Sequence, residues 1–337
     1  MYHTKIIIHL LTLISIIFCR SLDTKIEESL NIKQIRILKF TYEQKFGKSI
    51  EIFDEESSKE NLYDRNGNLI ESVPLKPSIG INHLLYIYSD DGRQLKHYYL
   101  DPYGNEITMF KPLYDSNNNM IEENYYLSNG EIDYKIKSVY NSKGNEIEKI
   151  HYNSDGSIYF KLTLSYDLNN NLVELLNHTN NKIYAHYTYK YDLSNNRIET
   201  FNKIDLGESL NSKELMKYNS ENKLIQHTLL DSNGEVKEIF YHRYDSNQNL
   251  IKKYATDKNG NPKIFWGRYE YKYDKNNNQI EETKYDNQDL IVYQYQYQYN
   301  PQNLLIEEKY FIGENKFGGN KQILIYKNIL EYDYYLR

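Results

Sequence analysis

A chain of 337 residues carrying 37 Tyr, 11 Phe and 26% charged residues is too rich in aromatic and aliphatic side chains to be disordered. Its formal net charge of −6 argues against nucleic acid or an anionic membrane surface as the main partner. The single cysteine, Cys19, excludes an internal disulfide framework and any cysteine-ligated zinc or iron–sulfur site.

Residues 1–20 read as an export signal. Lys5 precedes thirteen mostly apolar residues, Ile6 to Phe18, and the run stops at Cys19 and Arg20. A membrane-spanning helix needs about 20 such residues, whereas a short basic start and a short apolar core make a secretory signal peptide. An uncleaved N-terminal anchor is the other reading, and it also places the protein outside the cytoplasm. Cys19 stands where a bacterial lipoprotein carries its lipidated cysteine. Ile16-Ile17-Phe18-Cys19 resembles a lipobox in its aliphatic character, with Phe18 in place of the usual Gly, Ala or Ser. Cleavage after Ser21, which would discard Cys19, remains the alternative. The expected location is the outer membrane or cell surface as a lipoprotein, or the medium as a secreted protein.

Residues 21–62 alternate at Ile35 to Tyr42 and at Ile50 to Phe53 around Phe46-Gly47-Lys48. They predict an irregular N-terminal capping hairpin, preceded by a short helix over 24–30. From 63 to 316 a single element recurs: Tyr, then Asp or Asn, a turn rich in Asn, Gly and Ser, and an aliphatic pair often followed by Glu. Tyr63-Asp64-Arg65-Asn66-Gly67-Asn68-Leu69-Ile70-Glu71 and Tyr166-Asp167-Leu168-Asn169-Asn170-Asn171-Leu172-Val173-Glu174 are clear copies. Ten copies begin at Tyr63, Tyr88, Tyr114, Tyr140, Tyr166, Tyr191, Tyr218, Tyr244, Tyr273 and Tyr299, most often 26 residues apart. About halfway between them lie looser turns near Asp101, Leu127, Asn153, Asp231, Asp257 and Asp286. Asn, Asp and Gly tolerate positive φ and form side-chain-to-backbone turns, so each period is a β-hairpin. The segments between turns alternate with period two, as in Tyr293, Tyr295, Tyr297 and Tyr299 against Gln294, Gln296 and Gln298. Residues 317–337 supply C-terminal capping strands over 322–326 and 329–335. The fold expected is all-β: an elongated, twisted antiparallel meander, solenoid-like, of about ten 26-residue hairpin repeats, open at both ends.

On these Tyr-Asp elements, over residues 63 to about 312, the chain resembles the YD repeats of the RHS family of bacterial surface and toxin proteins. Tyr114-Asp115, Tyr166-Asp167, Tyr191-Asp192, Tyr244-Asp245 and Tyr273-Asp274 carry the namesake dipeptide, without the Gly-Arg that often follows it. The resemblance implies long, curling β-sheets, closed into a shell in large members. Asp101-Pro102-Tyr103-Gly104 is similar to that family's core-end signature but lies early, and reads better as a hairpin turn.

No catalytic or metal site and no cofactor is expected. The D-x-N strings begin like a calcium loop, yet position twelve is Tyr126 after Asp115 and Tyr285 after Asp274, which are not ligands. Neighbouring Glu pairs such as Glu281-Glu282 point to opposite faces of a strand, so they predict cross-strand ion pairs with residues such as Lys252 and Lys253. Tyrosine ladders serve either to stabilise a thin sheet or to recognise a partner. The best binding candidates surround the one Trp: Phe265, Trp266, Tyr269, Tyr271, Tyr273, Tyr293, Tyr295, Tyr297 and Tyr299. The function expected is an exported, non-enzymatic repeat protein presenting an extended surface to a protein or glycan at the cell surface. A carbohydrate-binding module and a passive envelope element are the alternatives.

Overall fold

The computed structural model describes residues 32–334, apart from 46–47, 77–82, 102, 180–181, 206–208, 264–265 and 315–320. The signal segment with Cys19 and the helix expected over 24–30 lie outside the described residues. The described elements are 22 strands. The first eleven are β1 (Ile32–Lys45), β2 (Lys48–Tyr63), β3 (Leu69–Pro74), β4 (His83–Tyr88), β5 (Gln94–Leu100), β6 (Glu106–Tyr114), β7 (Met120–Leu127), β8 (Ile132–Tyr140), β9 (Glu146–Asn153), β10 (Ile158–Tyr166) and β11 (Leu172–Thr179). The second eleven are β12 (Lys182–Tyr191), β13 (Arg197–Asp205), β14 (Ser209–Tyr218), β15 (Leu224–Leu230), β16 (Val236–Tyr244), β17 (Leu250–Thr256), β18 (Arg268–Tyr273), β19 (Gln279–Tyr285), β20 (Ile291–Tyr299), β21 (Leu305–Glu314) and β22 (Lys321–Tyr334). The last is one continuous strand, not the two short ones expected.

Each strand pairs antiparallel with the next, and β22 returns to β1 from Ile32↔Tyr334 to Thr41↔Tyr326. The product is a closed, 22-stranded up-and-down barrel, which corrects the open, solenoid-like ribbon expected from the repeats. Closure leaves no strand without a partner on either side, the most complete solution to the edge-strand problem.

Local chemistry explains both the hairpins and the curvature. Sixteen turns share one five-residue design. In the Asp167 turn, the Asn170 N–H donates to the Asp167 carbonyl (3.2 Å) and the Asp167 N–H to the Asn171 carbonyl (3.0 Å). The Asp167 carboxylate accepts the N–H groups of Asn169 and Asn171 at 2.9 and 2.8 Å. The fourth residue of each turn has positive φ, for example Asn170 at 67° and Gly234 at 80°. This is a type I turn closed by a left-handed residue. Immediately before each of the ten Tyr-Asp or equivalent turns the register slips, as between Ser165↔Glu174 and Tyr166↔Leu172. The unmatched residue is the second of the aliphatic pair, here Val173. A bulge bends its strand and raises the local twist. The register slips beside five of the looser turns as well, as between Tyr99↔Thr108 and Leu100↔Glu106, so most repeats carry a bulge near each rim and the bends accumulate along the sheet.

The strand-end tyrosines stitch neighbouring hairpins together. The ladder between β11 and β12 stops at Glu174↔Thr188. Beyond it the Tyr191 hydroxyl donates to the Leu172 carbonyl at 2.8 Å. The same bond recurs from Tyr88 to Leu69, Tyr114 to Gln94, Tyr140 to Met120, Tyr166 to Glu146 and Tyr218 to Arg197. It continues from Tyr244 to Leu224, Tyr273 to Leu250, Tyr299 to Gln279 and Tyr332 to Leu305. A phenylalanine would leave that carbonyl without its donor, which explains the preference for Tyr.

The wall is one layer thick. Sustained contacts between elements are confined to ladder neighbours, including β1 with β22. A ring of 22 strands spaced about 4.8 Å apart has a circumference of roughly 106 Å, so its interior is hollow. Among the described residues one cluster of fully buried apolar side chains forms, and it lies at the seam: Ile32, Ile35, Tyr63 and Leu69, with Ile37, Leu330 and Tyr332 packed against it. Burial of Ile32 and Ile35 contributes roughly 1.5–3 kcal/mol each, and Arg36, within 3.2 Å of Glu60 and 3.6 Å of Glu331, links β1 to both neighbours.

Candidate functional site

Ladder register sorts the strand residues into two continuous faces. On one, carboxylates and ammoniums of adjacent strands pair: Lys137 with Glu122 (3.2 Å), Lys190 and Lys213 with Glu199 (both 2.8 Å), Lys252 with Glu270 (3.5 Å) and Lys272 with Glu281 (2.7 Å). The Glu pairs thus do what the alternation predicts for Lys252. Lys253 stands on the opposite face and has no carboxylate partner among the described residues.

The opposite face carries most of the ring contacts, with ion pairs such as Lys149 with Glu123 (3.9 Å) among them. Rings follow one another across strands from Tyr86 through His97 and Phe110 to Tyr125 and Tyr134, with centroids 4.1–5.4 Å apart. His151 stacks on Phe160 at 3.9 Å. A third run joins Tyr269 to Tyr293 (6.4 Å), Tyr293 to Tyr295 (5.6 Å), Tyr295 to Tyr310 (4.8 Å) and Tyr310 to Tyr326 (5.1 Å). Burial pushes the hydroxyls of Tyr271, Tyr293 and Tyr297 above the ordinary phenol range, with Glu282 adding to the shift. Burial likewise lowers His97, His151 and His242 to about 4, with Lys149 and Lys253 reinforcing the last two. These imidazoles are neutral at pH 7.

The sequence candidates divide into two groups. Trp266, Tyr269, Tyr271, Tyr293, Tyr295 and Tyr297 gather on or beside the aromatic face. Tyr273 and Tyr299 are stitching tyrosines whose hydroxyls are spent on the Leu250 and Gln279 carbonyls, both at 2.9 Å. Phe265 lies outside the described residues, as does Cys19.

The ladder between β17 and β18 has three residue pairs, Lys252↔Glu270 to Tyr254↔Arg268; after the Asp257 turn the chain meets β17 at Thr256↔Pro262 and through the Lys263 N–H to the Ala255 carbonyl (3.0 Å), and the ladder resumes at Arg268. Gly267 returns the chain to β18 with φ of 66°. The returning segment lays Trp266 across the aromatic face, edge-on to Phe240 at 5.1 Å, with the indole N–H donating to the Glu238 carboxylate at 2.8 Å. Beneath it is a cleft of about 250 Å³ lined by His227, Phe240, His242, Lys253, Ala255 and Tyr269. Trp266 remains 45% exposed. The Lys253 ammonium lies over the Tyr269 ring, 4.6 Å from its centroid, and Lys284 approaches the same ring at 5.4 Å. Sequence reading missed Phe240, His242, Lys253 and Lys284 here. Alternation shows which residues share a face within a strand, but only register shows which of them meet across strands.

No family model matches the chain, and no curated protein matches it significantly. Among solved structures it is similar to the Photorhabdus luminescens Tc holotoxin pore, at 12% identity and a TM-score of 0.42 over 83% of this chain and 16% of that one. It is also similar to the TcdB2-TccC3 crystal structure, at 12% identity and a TM-score of 0.40 over 82% of this chain and 17% of that one. A porin-like protein from Bacteroides uniformis gives 10% identity and a TM-score of 0.32 over 90% and 98% of the two chains. The chain thus spans less than a fifth of the first two. The barrel described above rests on its own ladders.

Proposed function

We propose that this is an exported, non-enzymatic β-repeat barrel, tethered through Cys19, that acts by shallow, multivalent contact with a protein or glycan at the cell surface. The observation that carries the reading is where the reactive groups go. The turn carboxylates accept backbone N–H groups, Glu side chains pair with Lys on adjacent strands, and half-buried rings occupy the other face. What is left to meet a partner is aromatic surface, which gives rigid contact area with polar tips. Charged side chains stand mid-strand on both faces, Lys137 and Glu148 on one and Lys149 and Glu123 on the other. Neither face therefore supplies the apolar band of a membrane-spanning barrel.

Labelled protein binding to intact cells tests the reading. Saturable binding that falls on replacing Tyr293 and Tyr295 by Ala supports it, and binding indifferent to both replacements opposes it. Mass spectrometry of the mature N-terminus tests the tether: a diacylglyceryl group on Cys19 supports it, and an N-terminus beyond Cys19 rejects it.

The cleft under Trp266 favours a second reading, carbohydrate binding, because an exposed indole beside Phe240 and Tyr269 offers stacking surface for a sugar ring. A glycan array comparing the wild type with Trp266→Ala separates the two readings, since the first requires no signal lost with Trp266.

A further inference from the structure

Resting on that second reading, we infer that the Trp266 cleft is selective for acidic sugar chains, such as a polymer of uronic acid residues. One row of side chains crosses five strands of the aromatic face: His242 on β16, Lys253 on β17, Tyr269 on β18, Lys284 on β19 and Tyr293 on β20. Cation and ring alternate along it. Lys253 and Lys284 flank the Tyr269 ring from the two neighbouring strands, so their backbones stand about 9.6 Å apart, and neither has a carboxylate partner among the described residues. On the other face Lys137, Lys190, Lys213, Lys252 and Lys272 are each paired with Glu, whereas Lys253 and Lys284 converge on one tyrosine ring.

Two carboxylates share this face; each accepts a hydrogen bond from an aromatic side chain and keeps its charge, so the selectivity rests on where Lys253 and Lys284 stand along the row. Glu282, two residues from Lys284 on the same face, accepts from the Tyr293 hydroxyl at 3.4 Å. Glu238 is held by the Trp266 indole, and Phe240 separates it along β16 from the row that begins at His242. His242 also lines the cleft, and its buried Nδ1 has no hydrogen-bond partner among the described residues. A ligand that fits must bring carboxylates for the ammoniums, a flat apolar face for the rings and hydroxyls for the remaining polar groups. A uronic acid chain has all three, whereas an acidic peptide lacks the rigid ring to lie against Trp266 and Tyr269.

Trp266 is the one Trp of the chain, so its fluorescence reports on this cleft alone. The test titrates the full-length protein with hexagalacturonate, cellohexaose and hexaglutamate, and repeats each titration on Lys253→Gln/Lys284→Gln, which keeps the indole. Far-ultraviolet circular dichroism of the variant confirms that its sheet is intact. The inference expects saturable quenching by hexagalacturonate, at least about tenfold tighter than by the other two and weakened about tenfold or more in the variant. Equal binding of cellohexaose overturns the charge selectivity while leaving the carbohydrate reading in place. Equal binding of hexaglutamate overturns the assignment to sugar. No response to either sugar chain overturns both this inference and the carbohydrate reading.

Discussion

At the residue scale, the excess of Tyr over Phe has a specific cause. Ten strand-end hydroxyls donate to ten backbone carbonyls beyond the reach of the sheet ladder. A hydrogen bond of this kind contributes about 0.5–1.5 kcal/mol net. Tyr191→Phe keeps the ring and removes the donor, so it should lower unfolding stability in urea by about 1 kcal/mol; an unchanged midpoint would show that the hydroxyl contributes nothing. The neutral imidazoles make a second prediction. His97, His151 and His242 titrate at about 4 in the fold against 6.5 for an ordinary imidazole, so the unfolded chain binds more protons between these values. Their stabilisation is fully present above pH 6.5 and is lost as pH falls towards 4. The turn carboxylates Asp115, Asp167 and Asp192, held below the usual Asp range first by the side-chain amide of their turn Asn, lose theirs lower still. Melting followed by circular dichroism should therefore show Tm falling from pH 6.5 to 4, with a shallower fall in His151→Phe. Parallel profiles for the two proteins would contradict this assignment.

At the scale of the element, the hairpin was readable from sequence because its determinants are local. Tyr-Asp, the left-handed Asn or Gly and the aliphatic pair all lie within nine residues, and the structure assigns each a task. The choice of Asn over Gly at the fourth turn position carries a further meaning that only the fold shows. On the rim bearing the Tyr-Asp turns, Asn171 donates to the Asn195 side chain at 2.9 Å, Asn196 to Asn222 at 2.8 Å and Asn278 to Asn303 at 3.0 Å. Five of the six looser turns that build the opposite rim carry Gly at this position instead: Gly104, Gly130, Gly156, Gly234 and Gly260. The candidate site is an element-scale departure from the same design. Trp266, Tyr269 and Tyr293 were legible as an aromatic concentration, but Lys253 and Lys284 were not, because a lysine on the aromatic face looks no different in sequence from one on the charged face. Gly267 holds that departure in place. A Cβ there would collide with the Tyr285 carbonyl oxygen, and φ of 66° is unfavourable for Ala. Gly267→Ala should release Trp266 from Phe240 and Glu238, shifting its emission to the red and costing about 1–3 kcal/mol. Unchanged emission would show that the glycine does not position the indole.

At the scale of the whole molecule, closure was the feature that local reading could not reach. A meander of hairpins is compatible with an open ribbon or a ring, and the choice depends on accumulated curvature and on whether two distant strands match. Here the matching strands are among the longest, β1 with 14 residues and β22 with 14. The buried apolar cluster lies where they meet, and Lys327 of β22 reaches both Glu51 of β2 at 2.7 Å and the Phe40 ring of β1 at 4.7 Å. Hydrophobic burial is thus concentrated at the join, while the remaining wall relies on ladders, turns and ring contacts. Closure is tested most directly by pulsed electron–electron spin resonance between labels on Lys33→Cys and Asp333→Cys, in a Cys19→Ser background diluted with unlabelled protein. Both positions are exposed, and their native side chains approach within 3.9 Å. The closed barrel predicts a narrow distance distribution below about 20 Å, allowing for the length of the labels beyond paired strands. An open array of 22 strands would place its ends roughly 100 Å apart, and the absence of any short-distance peak would contradict the ring.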